Sequence, residues 1–430
     1  MKESFLHFVW QFQQFNKSHL HSVGGDKVEV FATGNHNTNA GPDFENATIR
    51  IGKITWHGQV EIHTTSSCWK LHGHQHDPAY DNVVLHVVWE NDKEIKARNG
   101  KSIPTIELKD RVSHDLVMRC NQLLNNHINI PCSGQLSQIN QLHVFSMQQQ
   151  ATIERLKYKS NAVFDLLGKN KGNWEEATYQ LLAKNFGFKI NSEPFLRLAQ
   201  NTPLKYLKKH SGNLFQVEAL LFGMAGFLHQ SPVDDYHSLL MNEYEFLSAK
   251  YSLTGKELSL TEWKHLRLRP ANFPAVRISQ LASLLHSNPH LFDSFIHAGT
   301  VKNLKKLLKT TPSDYWASHY NFGKETNRPL KGIGVNSIEN LLINTTVPLL
   351  AAYSRHVGES AYMEQAVAVL ESLKPEANNI TSKWEALGIS NTNAFESQAL
   401  IETYNNYCLK KRCLSCKIGV GLINAQCTSP

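Results

Sequence analysis

The sequence has no run of about 18 apolar residues, so no segment reads as a conventional membrane-spanning helix. It has no internal repeat on the scale of roughly 20–50 residues, which excludes solenoid and propeller arrays. Low-complexity sequence is limited to Gln148-Gln149-Gln150. Cysteine is sparse: seven residues in 430, with Cys68, Cys120 and Cys132 scattered singly, which is not the pattern of a secreted disulfide framework. An excess of one charge is also missing. Lys and Arg number 44 against 37 Asp and Glu, and the resulting +7 permits nucleic-acid contact without demanding it. The start, Met1-Lys2-Glu3-Ser4-Phe5, carries an early acid, and Gln11, Gln13 and Gln14 interrupt the apolar stretch. It reads as an amphipathic helix and not as a signal peptide, so a cytoplasmic protein is expected. Nothing in the sequence marks an oligomeric state.

What is present describes a globular chain, with 41% hydrophobic and 19% charged residues. At 430 residues it is too long for one ordinary core, and two or three domains are expected. Residues 1 to about 112 show β-branched alternation broken by Gly, Asn and His turns. From about 135 onward the period becomes helical, over 138–167, 174–186, 214–229, 236–250, 276–286 and 336–353. Asn125 to Gly134, with Pro131, reads as the linker. The expected fold class is an α+β domain over 1–125, a large all-α domain over 135–403 and a Cys-rich tail over 404–430.

Chemistry concentrates first around Asp43, Glu61 and His63. Gly41-Pro42-Asp43-Phe44 leads into an apolar run, Ala47 to Ile51, and Val60-Glu61-Ile62-His63 follows after a Gly52-Lys53 turn. Alternation along a strand puts Val60 and Ile62 on one face and Glu61 and His63 on the other. A hairpin would set Asp43 beside Glu61, and two converging carboxylates suit a hard cation such as Mg²⁺.

Pro42-Asp43 followed by Glu61-x-His63 resembles the motif of the PD-(D/E)xK nuclease superfamily. The order of an N-terminal helix, three strands and a later strand at Val83–Trp89 is similar as well. The resemblance implies a nuclease-like mixed sheet. It also implies Mg²⁺ or Mn²⁺ held by Asp43 and Glu61, and a DNA or RNA phosphodiester as substrate. A lysine activates water in that superfamily two residues after the Glu; here the position is His63, which can bind metal or act as a base. The alternatives are a non-catalytic nucleic-acid-binding or scaffold protein, and a Zn²⁺-dependent hydrolase of a small substrate. The whole chain also resembles an uncharacterised bacterial family, through Gly41 to Phe44, Val60 to His63, His72 to Asp77, Leu85 to Val88, Arg267 to Pro274 and the Cys-rich end.

Three further groups of residues carry chemistry. His72, His74, His76, Asp77 and His86 crowd the region after Glu61, and His72 and His74 are candidate ligands for Zn²⁺ or Mn²⁺. Cys408, Cys413, Cys416 and Cys427 form a C-x4-C-x2-C-x10-C set that suits one Zn²⁺, with an iron–sulfur cluster as the alternative. Arg267, Arg269 and Arg277 bracket the Pro270–Pro274 turn, and Lys331 directly precedes Gly332-Ile333-Gly334, a Gly-x-Gly between helices. These four are the candidate nucleic-acid contacts.

Overall fold

The hairpin that organises the N-terminal part turns on two residues. Ile51 pairs with Ile54, leaving Gly52-Lys53 as the loop, and Gly52 at φ +60° takes the left-handed conformation that a tight hairpin requires. The structure, a computed structural model, describes residues 2–37, 39–327, 329–330 and 332–425. It opens with helix α1 (Glu3–Gln11), which buries Phe5, Phe8, Val9 and Trp10. Strands β1 (Val28–Ala32), β2 (Asn35–His36), β3 (Phe44–Ile51), β4 (Ile54–Thr65), β5 (Val83–Glu90) and β6 (Thr105–Glu107) form one curled mixed sheet. The order is β1-β3-β4-β5-β6, with β2 pairing the end of β3. β1, β3 and β4 are antiparallel neighbours, while β4, β5 and β6 run parallel.

Parallel strands need a crossover connection. Between β4 and β5 it is compact: helix α2 (Cys68–Leu71), then single 3₁₀ turns at His74–His76 and Pro78–Tyr80. Ser66 anchors its start, donating to Asp92 Oδ1 at 2.9 Å and to the Lys93 carbonyl at 2.7 Å. Asp77 caps its last turn by accepting the Ala79 N–H at 2.9 Å. This segment carries His72 and His74, so its short turns decide where those side chains stand. The strand β4 is exposed along its first third and buried from Val60 to His63, where it lies between two neighbours.

The chain divides into two units. One takes residues up to Gln148 and those from Glu402 on; the other is Gln149–Ile401, and one boundary falls inside the helix Gln141–Lys169. The tail expected as a separate element is therefore part of the first unit. The expected linker is also built in. It follows helix α3 (His114–Asn125), buries Ile130 and Cys132, and is closed by Asn126 Nδ2 donating to the Pro131 carbonyl at 2.7 Å.

The second unit is helical around a core that includes Phe222, Leu281, Trp316, Leu349 and Leu350. The helix expected over 214–229 ends at Met224, since Gly226 turns the chain at φ +81°. Over 335–357, helical structure continues through a π-helical turn at Leu342–Thr346 despite Pro348. Proline has no N–H to give the Asn344 carbonyl, and Asn185 Nδ2 donates there instead, at 2.9 Å. Among the described residues, no helix is long and apolar enough to cross a membrane.

Candidate metal centre

Asp43 and Glu61 meet at the end of the β3–β4 pair farthest from the hairpin turn. Phe44 pairs with Val60, which sets Asp43 alongside Glu61; a bulge around Asn46, with φ +61°, shifts the pairing by one residue from the hairpin register to reach it. Each carboxylate holds the other's strand. Glu61 Oε2 accepts the Asp43 N–H at 3.1 Å, and Asp43 Oδ2 accepts the Ile62 N–H at 2.9 Å.

On the neighbouring strand, Glu61 pairs in register with His86, so Glu61, His63 and His86 share a face of the sheet. The crossover covers this face with His72 and His74. His63 Nε2 lies 3.4 Å and His74 Nε2 lies 3.3 Å from Glu61 Oε1, and His72 Nδ1 is 3.1 Å from His63 Nε2. His63, His72 and His74 each offer a nitrogen, all within 4.8 Å of one another. Glu61 is 5% exposed and His63 1%, while His72 opens the cluster to solvent.

Burial controls the protonation here. It pushes the Glu61 carboxyl up to about 9, helped by the negative charge of Asp43. It drives the His63 imidazole down to about 2, with His86, His72 and His74 adding repulsion, and holds His86 down at about 3. His74 is lowered too, first by burial. The close approaches of His63 and His74 to Glu61 are therefore contacts of neutral imidazoles with a neutral carboxyl, not ion pairs. His74 Nε2 is buried and forms no hydrogen bond despite its 3.3 Å approach to Glu61. Three imidazoles and a carboxyl group turned toward one point make a donor set that fits a divalent cation, which would also allow Glu61 to ionise.

The sequence missed two residues at the rim. His7, on α1, puts Nε2 3.3 Å from Asp43 Oδ2, and its ring lies 5.2 Å from that of His36 on β2. Only tertiary packing brings α1 to this edge, so His7 had no signal. His36 could have been suspected, because β2 pairs directly with Phe44 beside Asp43. Tyr80 stacks on His74 with ring centroids 3.8 Å apart, and burial raises its phenol to about 12.

The remaining candidates lie elsewhere. Arg267 and Arg269 are exposed in the helical unit. Arg277, grouped with them in the sequence, is 5% exposed, which removes it from any exposed basic surface. Its guanidinium lies 4.5 Å over the Phe188 ring and donates to Gln280 and Ser337, and among the described residues no carboxylate pairs with it. Lys331 and Cys427 lie outside the described residues. Cys408, Cys413 and Cys416 are buried in the first unit.

No curated protein and no solved structure matches the chain. Residues 3–379 do match the model of a family described as "Protein of unknown function (DUF2851)", which spans both the metal-type cluster and most of the helical unit. The chain belongs to that family.

Proposed function

We propose that the N-terminal unit is a metal-dependent phosphodiesterase acting on DNA or RNA, with Glu61, His63, His72 and His74 as ligands of one divalent ion. The observation that carries this reading is the convergence of three imidazole nitrogens within 4.8 Å, with Glu61 Oε1 3.3–3.4 Å from two of them. A donor set of this kind suits Zn²⁺ or Mn²⁺ better than Mg²⁺. A bound ion supplies Lewis-acid polarisation of a phosphoryl oxygen and a more acidic water.

Asp43 stands on the open side, its Oδ2 fixed by the Ile62 N–H, and adds a second carboxylate there. His7 Nε2, which makes no hydrogen bond, is placed to take a proton from a water held at that carboxylate. His63 takes the position of the superfamily's lysine but not its role. It is neutral, buried and held at Nδ1 by His86, which is how a ligand is prepared. The phosphodiester assignment rests on the Pro42-Asp43 and Glu61-x-His63 resemblance and on the strand order that accompanies it. Arg267 and Arg269 are the exposed cations offered to a nucleic-acid backbone.

A second reading, hydrolysis of a small substrate, is favoured by the burial of Glu61, His63 and His74, which leaves only the His72 and Asp43 side open. The test is hydrolysis of labelled single- and double-stranded DNA and RNA, and of a small aryl phosphodiester, with Mn²⁺ or Zn²⁺. Ion-dependent cleavage of nucleic acid that falls about 10²-fold or more in Asp43→Asn supports the proposal. Turnover of the small diester alone supports the second reading. No turnover of any substrate leaves the scaffold role.

A further inference from the structure

The helical unit buries a cation that, among the described residues, has no counter-charge. Arg277 sits in the first turn of the helix Pro274–Ser287, and arginine is rarely this buried unless paired. Its Nη atoms donate to neutral acceptors: Gln280 Oε1 at 2.9 Å, Asn272 Oδ1 at 2.5 Å and Ser337 Oγ at 3.0 Å. A guanidinium has five N–H donors, and here the Nε–H is buried with no hydrogen-bond partner. A desolvated charge in this state is costly, and an anion placed beside it is attracted with little screening.

Arg277 lines a cavity of about 140 Å³. Asn272 and Ser337, joined to it by hydrogen bonds, belong to the same lining, and Phe186, Ile190, Phe195 and Leu268 make much of the remaining wall apolar. The backbone fixes that wall. A side chain at Gly187 would put Cβ 2.2 Å from the Asn191 carbonyl oxygen, so only glycine permits the turn after Phe186. Phe188 takes φ +50°, a conformation that bulky residues seldom adopt, and its ring lies 4.5 Å from the guanidinium carbon. Asn191 ties two segments of the wall together, donating from Nδ2 to the Lys264 carbonyl and accepting the Lys264 N–H at Oδ1, both at 2.9 Å. The helix Pro274–Ser287 starts without a side-chain cap, so the positive end of its dipole adds to the field of Arg277.

We propose that this cavity binds a small apolar carboxylate. Its carboxylate accepts from Arg277 Nε, and its hydrocarbon body lies against Phe186, Ile190 and Phe195. Charge selects the head group: one buried cation balances one negative charge, whereas the second charge of a phosphate would be buried unpaired. Volume selects the body. An apolar cavity of about 150 Å³ holds benzene, so one ring or a short branched chain fits here, and a nucleotide or long-chain acid does not. Every lining residue belongs to the unit Gln149–Ile401, so the proposal stands without the metal centre.

Calorimetric titration of the full chain with benzoate, phenylacetate and 3-methylbutanoate, each beside its neutral amide, and with inorganic phosphate, provides the test. At least one acid is expected to bind at a single site with a Kd of about 1 mM or tighter, and its amide to bind about 10-fold or more weakly. Arg277→Gln is expected to weaken the acid by a similar factor. Ile190→Trp, at a residue 41% exposed, is expected to abolish binding by filling the cavity while the chain stays folded. Absence of saturable binding by all three acids overturns the proposal, as does an amide that binds as well as its acid; both results come from the wild type and hold even if Arg277→Gln fails to fold. Phosphate binding without acid binding overturns it too, and so does unchanged affinity in folded Arg277→Gln or Ile190→Trp.

Discussion

His63 Nδ1 lies 2.8 Å from Nε2 of His86, with both rings buried in the sheet. When the proton of that contact is on His63 Nδ1, the lone pair of His63 Nε2 faces Glu61, His72 and His74. His86 thus fixes the tautomer that a metal ligand needs. Replacing His86 with Phe is expected to lower divalent-ion affinity at this site by about 10–100-fold, with the chain still folded. Competition titration with a chromophoric chelator measures it; an unchanged affinity removes His86 from the site.

His63→Lys separates two roles for the third motif position. The variant is expected to lose ion binding and any hydrolysis, because Lys cannot supply a neutral ring nitrogen to the cluster and its ammonium would be buried beside His86. Retained or higher activity would show that His63 stands in for a catalytic lysine and not for a ligand.

Much of this centre was legible because strands obey a period of two. Glu61 and His63 share a face by alternation alone, and the Gly52-Lys53 turn fixed the hairpin that brings Asp43 to Glu61. The histidines of the crossover were visible as ligand-type residues, but their aim depends on three short turns that no periodicity announces. His7 was hidden for a related reason. It reaches Asp43 only through packing of segments distant in sequence. The helical unit showed its long helices through their apolar period. Breaks such as the one at Gly226, and the continuation past Pro348, depend on local conformation and on Asn185.

Glu218 makes stability of the helical unit depend on pH. Its side chain is fully buried, accepts hydrogen bonds from Tyr236 and Ser313, and burial raises its carboxyl from 4.5 to about 7. A raised folded-state value means that its contribution is fully present below about pH 4.5 and is lost as pH rises to about 7. The loss amounts to about 3 kcal/mol at 1.36 kcal/mol per unit. Glu218→Gln, which cannot ionise, is expected to gain on the wild type steadily across that window. Melting temperatures of the two proteins from pH 4 to pH 8 (about one-unit steps suffice, given the width of a single titration) decide it, and parallel profiles would refute it.

The central claim is that Glu61, His63, His72 and His74 hold one divalent ion. Crystals grown with Mn²⁺ or Zn²⁺ and measured at the metal's absorption edge locate such an ion directly. The account predicts an anomalous peak bounded by Glu61 Oε1, His63 Nε2, His72 Nδ1 and His74 Nε2, with Asp43 on its solvent side. An edge map with no peak among these four side chains, at an ion concentration that saturates binding in solution, would contradict it.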